Sequence, residues 1–351
     1  MFIFFPQMTI KNMEMIFLSD LNKTIHYTTK AEMICQGLCE YIPNDAHLIE
    51  PFVGEGDLLR LFPNHIWETY DIQEDVCNEY IQDTLLNPPS YKNKWVITNP
   101  PFLAKNKAND KKLFEQYKLD DLYKIFLQTM LEANGGIIII PTNFFTDERS
   151  GTIRKEFLSR FVIDKINIYT EPVFDSTTYS VCAFACHKEN NNKQTLRISI
   201  YPQNTEATID IEKQYDYRIA GEFYNKLDNQ SIYFNRLTEM QPDVEFITRL
   251  KLYALDTRKE PIRITYGEEP YYGKNSDRSY LTFVSKMPIT EEIQQQLCEN
   301  FNHSIEDFRR KYHGLSMTNY RDYNRKRIGF TFAYQLLSAE YDKLQKNKEE
   351  A

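Results

Sequence analysis

Between residues 47 and 187, short apolar runs alternate with segments of helical periodicity, and this alternation constrains the fold more than any other feature of the chain. The runs 47–53 (HLIEPFV), 66–72 (IWETYDI), 94–98 (KWVIT) and 135–141 (GGIIIIP) read as strands, as do 162–170 and 179–187. Apolar spacing of three and four residues predicts helices over 30–42, 57–62, 119–133 and 151–161. Parallel strands cannot be joined by tight turns, and helices supply the crossovers. The order therefore predicts a doubly wound α/β sheet.

The alternation stops near residue 188. The polar stretch KENNNKQ (188–194) predicts a boundary, and the rest reads as a smaller mixed α+β domain ending in a helix over 329–346. The expected division is an arm over 1–25, an α/β domain over 26–189 and a second domain over 190–351. The arm begins with an apolar run but lacks a basic leader and a small-residue cleavage site, so it reads as a packed or frayed segment. No apolar window is long enough to predict a membrane span. Cys35, Cys39, Cys77, Cys182, Cys186 and Cys298 show neither disulfide nor zinc-finger spacing. They are expected to be reduced core thiols of an intracellular, cytoplasmic protein without a metal site.

The formal net charge of −8 is a poor start for a nucleic-acid binder until its distribution is read. Residues 191–351 hold 24 basic and 24 acidic side chains, so the whole deficit lies ahead of them. Within 309–327 seven basic residues meet one acid, Asp322. That patch reads as a nucleic-acid contact or as a solvated face. A second polar loop, 273–280, carries Lys274 and Arg278. Aromatics are frequent at 14%, enough for aromatic-rich cores with some rings left to stack on bases.

Three segments carry chemistry. Asn99-Pro100-Pro101-Phe102 follows a buried strand, at the sheet edge where open α/β folds hold ligands. The two prolines stiffen the turn. The Asn99 side-chain carbonyl and the Pro100 carbonyl offer two acceptors to an exocyclic amine, and Phe102 offers a flat face. Upstream, Glu50-Pro51-Phe52-Val53-Gly54-Glu55-Gly56-Asp57 turns out of the first strand, and its glycines permit close backbone approach to a ligand. An ordinary strand–helix turn would also explain them. Asp71 ends the next strand, where an acid can accept from both hydroxyls of a ribose. Tyr27, Thr28 and Thr29 precede the first predicted helix, which either threonine could cap.

In this order the segments resemble the amino-methyltransferases that act on DNA, in particular N6-adenine enzymes of type II restriction–modification systems with the γ order of motifs. The matching positions are 27–30, 51–56, Asp71, Asp83 and 99–102, with Thr29 where the family often has proline. Residues 171–176 look like the family segment whose aromatic ring, here Phe174, packs on the flipped adenine. The resemblance covers residues 25–187. It implies a Rossmann-like S-adenosylmethionine-dependent methyltransferase domain followed by a target-recognition domain that binds double-stranded DNA. It also implies a cofactor site formed by Tyr27, Thr28, Thr29, Glu50, Pro51, Phe52, Gly54, Gly56, Asp71, Ile72, Asp83 and Asn99. In that reading Asp71 takes the ribose, Ile72 packs on adenine and Asp83 accepts from its amine. Asn99, Pro100, Pro101 and Phe102 act on the target base, with Phe174 on its other face. Expected DNA contacts are Lys274, Arg278, Asn319, Arg321, Arg325, Lys326 and Arg327. A cognate restriction endonuclease encoded nearby is a further expectation, and no obligate protein partner is implied. The lysine-rich segment 103–118 reads as a surface loop that closes near the flipped base. RNA adenine and protein glutamine methyltransferases share the Asn-Pro-Pro turn but usually carry their substrate domain ahead of the cofactor loop. An inactive DNA-binding module would be expected to have lost one of the two motifs.

Overall fold

The structure is a computed structural model and describes residues 30–76, 78–174, 180–227, 231–240, 246–319 and 325–349. The predicted arm therefore lies outside the described residues, as do Tyr27, Thr28, Thr29 and Arg321. The chain divides into two compact units.

The first unit comprises the chain up to Phe144 together with Glu148–Tyr217. Its strands are β1 (His47–Glu50), β2 (Ile66–Asp71), β3 (Tyr80–Ile81), β4 (Trp95–Thr98), β5 (Gly135–Pro141), β6 (Phe161–Tyr169), β7 (Val181–Lys188), β8 (Lys193–Tyr201) and β9 (Thr205–Glu212). Among the described residues these nine form one sheet in the order β3-β2-β1-β4-β5-β7-β6-β8-β9. The first five in that order pair in parallel. β7 runs antiparallel between β5 and β6. The helices are α1 (Ala31–Ile34), α2 (Lys112–Tyr117), α3 (Leu122–Thr129) and α4 (Gly151–Leu158). Ile137, Ile138, Ile139 and Ile140 of β5 have no accessible surface, as expected of a strand covered on both faces. This is the predicted doubly wound, Rossmann-like sheet. Strand order reverses between β1 and β4, and such a switch point opens a crevice at the carboxyl ends of the strands.

Three expectations need correction. The helix predicted over 30–42 is only α1 and a 3₁₀ turn at Cys39–Tyr41, because Gly37 between them has φ +65°. The segment 103–118 is not all loop, since Leu113 and Phe114 are buried and seat α2. The boundary expected at residue 190 falls instead after Tyr217. β8 and β9 alternate buried and exposed residues, the pattern of antiparallel strands with one wet face, and they extend the sheet beyond β6.

The second unit comprises Phe145–Asp147 and Arg218–Ala351. Strands β10 (Phe234–Arg236), β11 (Phe246–Tyr253), β12 (Arg263–Tyr266) and β13 (Tyr280–Ser285) form an antiparallel sheet in the order β10-β13-β11-β12. Its helices are α5 (Gly221–Lys226), α6 (Glu291–Lys311) and α7 (Phe330–Glu349), and a short pair, β14 (Thr318–Asn319) and β15 (Lys326–Arg327), completes it. Leu297, Phe301, Ile305 and Phe308 form the buried stripe of α6. Asn302 on the same helix accepts from Ile264 N at 2.8 Å and donates to Ile264 O at 2.9 Å, satisfying backbone groups of the edge strand β12. The mixed α+β character predicted for this part of the chain is what the unit shows.

Candidate active site

The two motif segments lie on adjacent strands at the switch point. Glu50 closes β1 and Thr98 closes β4, and both are buried. Glu50 Oε1 accepts from Thr98 Oγ1 at 2.6 Å and from Phe52 N at 3.1 Å. One carboxyl group thus fastens the start of the glycine loop to the residue before Asn99. Its other oxygen, Oε2, is buried without a hydrogen-bond partner. Burial pushes the Glu50 carboxyl up to about 8, with the neighbouring charge of Asp71 adding to the rise and the two hydrogen bonds opposing it.

The glycine loop folds back over the end of β2. Gly54 and Gly56 adopt φ +50° and +76°, left-handed conformations that cost other residues free energy. Asp71 Oδ2 accepts from Gly54 N at 2.9 Å, and Oδ1 accepts from Gln73 N at 3.0 Å. A carboxylate has about four lone-pair positions, so two bonds leave Asp71 room for further donors. Ile72, directly after it, is half-buried. Asp83 Oδ1 accepts from Leu85 N and Leu86 N at 3.0 and 3.1 Å, and burial raises its carboxyl above the usual range. Thr84 Oγ1 donates to Pro51 O at 3.0 Å, tying the Asp83 turn to the glycine loop.

α3 stands behind both segments. Phe126 meets Phe52 edge-on with centroids 5.4 Å apart, and Tyr123 meets Phe102 at 6.1 Å and 88°. Asp121, just before the helix, accepts from Leu103 N at 3.1 Å. Burial pushes its carboxyl up to about 7 against the pull of Lys124. Phe102 and Phe174 are both buried, at 7% and 3% exposure. Pro100 is buried, and Asn99 and Pro101 are half-buried.

Thr98, Thr84, Asp121 and Tyr123 belong to this assembly but were not marked by sequence. The helix predicted over 119–133 begins only at Leu122, so Asp121 gave no signal as the residue ahead of it.

In the second unit, Lys274 and Arg278 are exposed. The Lys274 amide donates to Asp277 Oδ2 at 2.7 Å, and Arg278 donates to the carbonyls of Asn275 and Asp277 at 2.6 and 2.7 Å. The basic run departs from expectation. Lys326 is buried at 7% exposure, and its ammonium is lowered to about 8 by burial, with the charge of Arg309 adding. Arg309 pairs through both terminal nitrogens with Asp256, at 3.0 and 2.7 Å. Lys326 is thus withdrawn from the surface and is no phosphate contact. Arg325 and Arg327 are half-buried, and the backbone of Asn319 pairs with that of Lys326. The side chain of Asn319 lies outside the described residues.

Residues 68–233 match the family model described as N-6 DNA Methylase. The match spans a little under half of the chain. Asp71, Asp83 and the Asn99 turn fall inside the matched segment, and the glycine loop lies just ahead of it. No curated protein sequence matches the chain. Among solved structures, the chain is similar to a protein described as a modification subunit of a type I restriction enzyme from Vibrio vulnificus YJ016, at 12% identity and a TM-score of 0.41 over 64% of this chain and 58% of that one. A type I restriction–modification methyltransferase subunit from Streptococcus thermophilus is 13% identical, with a TM-score of 0.39 over 55% of this chain and 57% of that one. A nuclease-deletion mutant of the type ISP restriction–modification enzyme LlaGI, in complex with a DNA substrate mimic, is 10% identical, with a TM-score of 0.44 over 70% of this chain and 37% of that one. The chain thus spans less than two thirds of the length of each.

Proposed function

We propose that the methylase domain transfers the methyl group of S-adenosylmethionine to N6 of an adenine swung out of duplex DNA. The observation that carries this reading is the Glu50–Thr98 hydrogen bond, which holds a glycine loop and an Asn-Pro-Pro turn side by side at the switch point. The cofactor's chemistry suits the residues there. The buried, unpartnered Oε2 of Glu50 invites a cation, and the cofactor carries a sulfonium and an ammonium. Asp71 is suited to accept from the ribose hydroxyls, Asp83 from the adenine amine, and Ile72 to pack on the ring. When bound, the cofactor supplies an electrophilic methyl group on a good leaving group.

The chain's own task is then orientation. The Asn99 and Pro100 carbonyls accept from the two N–H bonds of the target amine and localise its lone pair toward the methyl group. The adenine must leave the stack, because N6 is not accessible within it. Phe102 and Phe174 would flank the ring, and since both are buried the base enters only when their covering residues move. In this reading the second unit recognises the target sequence, with Lys274, Arg278, Asn319, Arg321, Arg325 and Arg327 facing DNA, and the modification protects DNA from a cognate endonuclease. The test is methylation of plasmid DNA followed by nucleoside analysis. N6-methyladenine is the expected product. N4-methylcytosine, or methyl transfer to RNA or protein glutamine alone, overturns the reading.

Glu50 makes cofactor binding pH-dependent. In the free protein its carboxyl holds its proton up to about pH 8. A cation seated beside Oε2 favours the carboxylate, so binding below pH 8 expels the proton. Affinity is expected to rise with pH toward 8 and then level off, by at most about tenfold per unit. Calorimetry at pH 7 in buffers of different ionisation enthalpy should show nearly one proton released by the wild type and none by Glu50→Gln. Equal proton release by the two proteins would remove Glu50 from the cofactor site.

A further inference from the structure

The chain after Phe102 does not run free. Leu103 O accepts from Leu122 N at 3.2 Å, and Lys105 N donates to Asp120 O at 2.8 Å. An antiparallel bridge joins Ala104 to Asp121 between these bonds. Residues 103–105 are thus laced to the strand-like approach to α3, where Asp121 has φ −150° and ψ 149°. Asp121 occupies the helix-cap position, and the backbone N–H of Tyr123 in the first turn also bears on its carboxyl group. Its carboxylate accepts from Leu103 N, one residue beyond Phe102. Two residues on, the Tyr123 ring abuts the Phe102 ring itself. The first turn of α3 therefore holds both the main chain and the ring of the catalytic turn. The neighbouring charges are occupied with each other, since Lys124 pairs with Asp120 at 2.7 Å and Arg149 lies 3.7 Å from Asp120. The Asp121 carboxyl group, drawn also by the charge of Lys124 and the Tyr123 amide, accepts from the Leu103 amide.

We propose that Asp121 is a positioning residue for methyl transfer, fixing where Pro100 and Phe102 stand by holding the main chain directly after them. This rests on the methyltransferase reading above. Prolines set φ within the turn but leave its far end to swing, and Asp121 is the side chain that pins that end. A displacement of about 1 Å in a reacting group can cost on the order of a hundredfold in rate, whereas binding of the cofactor at β1 and β2 does not pass through this contact.

The test uses the full chain, tritiated S-adenosylmethionine and unmethylated plasmid DNA. Asp121→Ser supplies a hydroxyl that caps helices well but is too short to reach Leu103 N, so helix stability and positioning come apart. Asp121→Asn keeps an acceptor oxygen at the original reach. Asp121→Ser is expected to melt within a few degrees of the wild type, to bind cofactor and DNA within twofold of it, and to lose at least tenfold in kcat. Asp121→Asn is expected to keep kcat within threefold. The proposal is overturned if Asp121→Ser keeps kcat within twofold, if its loss lies in cofactor or DNA affinity instead, or if Asp121→Asn falls as far. Should Asp121→Ser fail to fold, the Asn variant decides alone, and a tenfold loss there is adverse. A wild type that binds cofactor but transfers nothing to adenine defeats the methyltransferase reading itself and this inference with it.

Discussion

Asn99→Ala is expected to retain cofactor and duplex binding, with cofactor affinity lowered far less than the rate, and to lower methyl transfer by a hundredfold or more. The methyl group already sits on a good leaving group, so neither a covalent intermediate nor a strong general base is required. What the amine lacks is an available lone pair, because its electrons are delocalised into the purine ring. Acceptors on its two hydrogens pull the nitrogen toward tetrahedral geometry, and this interaction strengthens as the transition state is approached. Removing one well-placed polar group of this kind typically costs about 10²–10³ in rate, or about 3–4 kcal/mol. The scaffold should survive, because Asn99 is half-buried and the contacts that join the strands, Thr98 to Glu50 above all, stay in place. Single-turnover transfer from tritiated cofactor under saturating conditions is the measurement. A rate within tenfold of the wild type would take Asn99 out of the catalytic role, and a parallel loss of cofactor affinity would recast it as a binding residue.

Where the residues of this candidate site lie was legible, because they sit where strands end. The run from Trp95 to Thr98 announces a buried strand, and a polar-proline turn directly after it must lie at the carboxyl edge of the sheet. Asp71 was readable for the same reason, as the last residue of β2. What escaped depends on contacts between positions far apart in sequence. Asp121 meets Leu103 through a pairing that no local periodicity reveals. The basic run 309–327 looked like a surface patch because sequence shows charge but not pairing. Arg309 meets Asp256, 53 positions earlier, and Lys326 folds inward beside them. Gly37 was read as one more helical position, whereas its left-handed backbone lies in the turn between α1 and the 3₁₀ turn. The boundary near residue 190 was misjudged because polar loops separate strands of one sheet as readily as they separate domains. There the half-wet alternation of β8 and β9, visible in residues 193–212, was the better guide.

Gly136→Ala is expected to unsettle the whole first unit. Gly136 pairs with Val96 across the parallel β4–β5 ladder. A Cβ on Gly136 would lie 1.9 Å from Val96 O and 2.8 Å from Val96 C, and the obstacle is backbone rather than a side chain able to rotate away. The neighbouring Gly135 is equally confined, with φ +155° and a Cβ position 2.2 Å from Cys186 O on the antiparallel side. The two glycines let β5 lie close between β4 and β7. Overpacking a close-packed interior typically costs 1–3 kcal/mol, and a clash with main chain belongs at or above about 3 kcal/mol. For a unit of this size that corresponds to a fall of roughly 6–12 °C in melting temperature. The consequence reaches the candidate site, because Val96 lies three residues before Asn99 and any shift of β4 carries the Asn-Pro-Pro turn with it. Gly136→Ala should therefore lose stability and transfer together, where Asn99→Ala loses transfer alone. Thermal melting followed by circular dichroism separates the two variants. A Gly136→Ala protein that melts within about 2 °C of the wild type would mean that β4 and β5 part without cost, and that the glycine pair does not govern how closely the strands approach beneath the site.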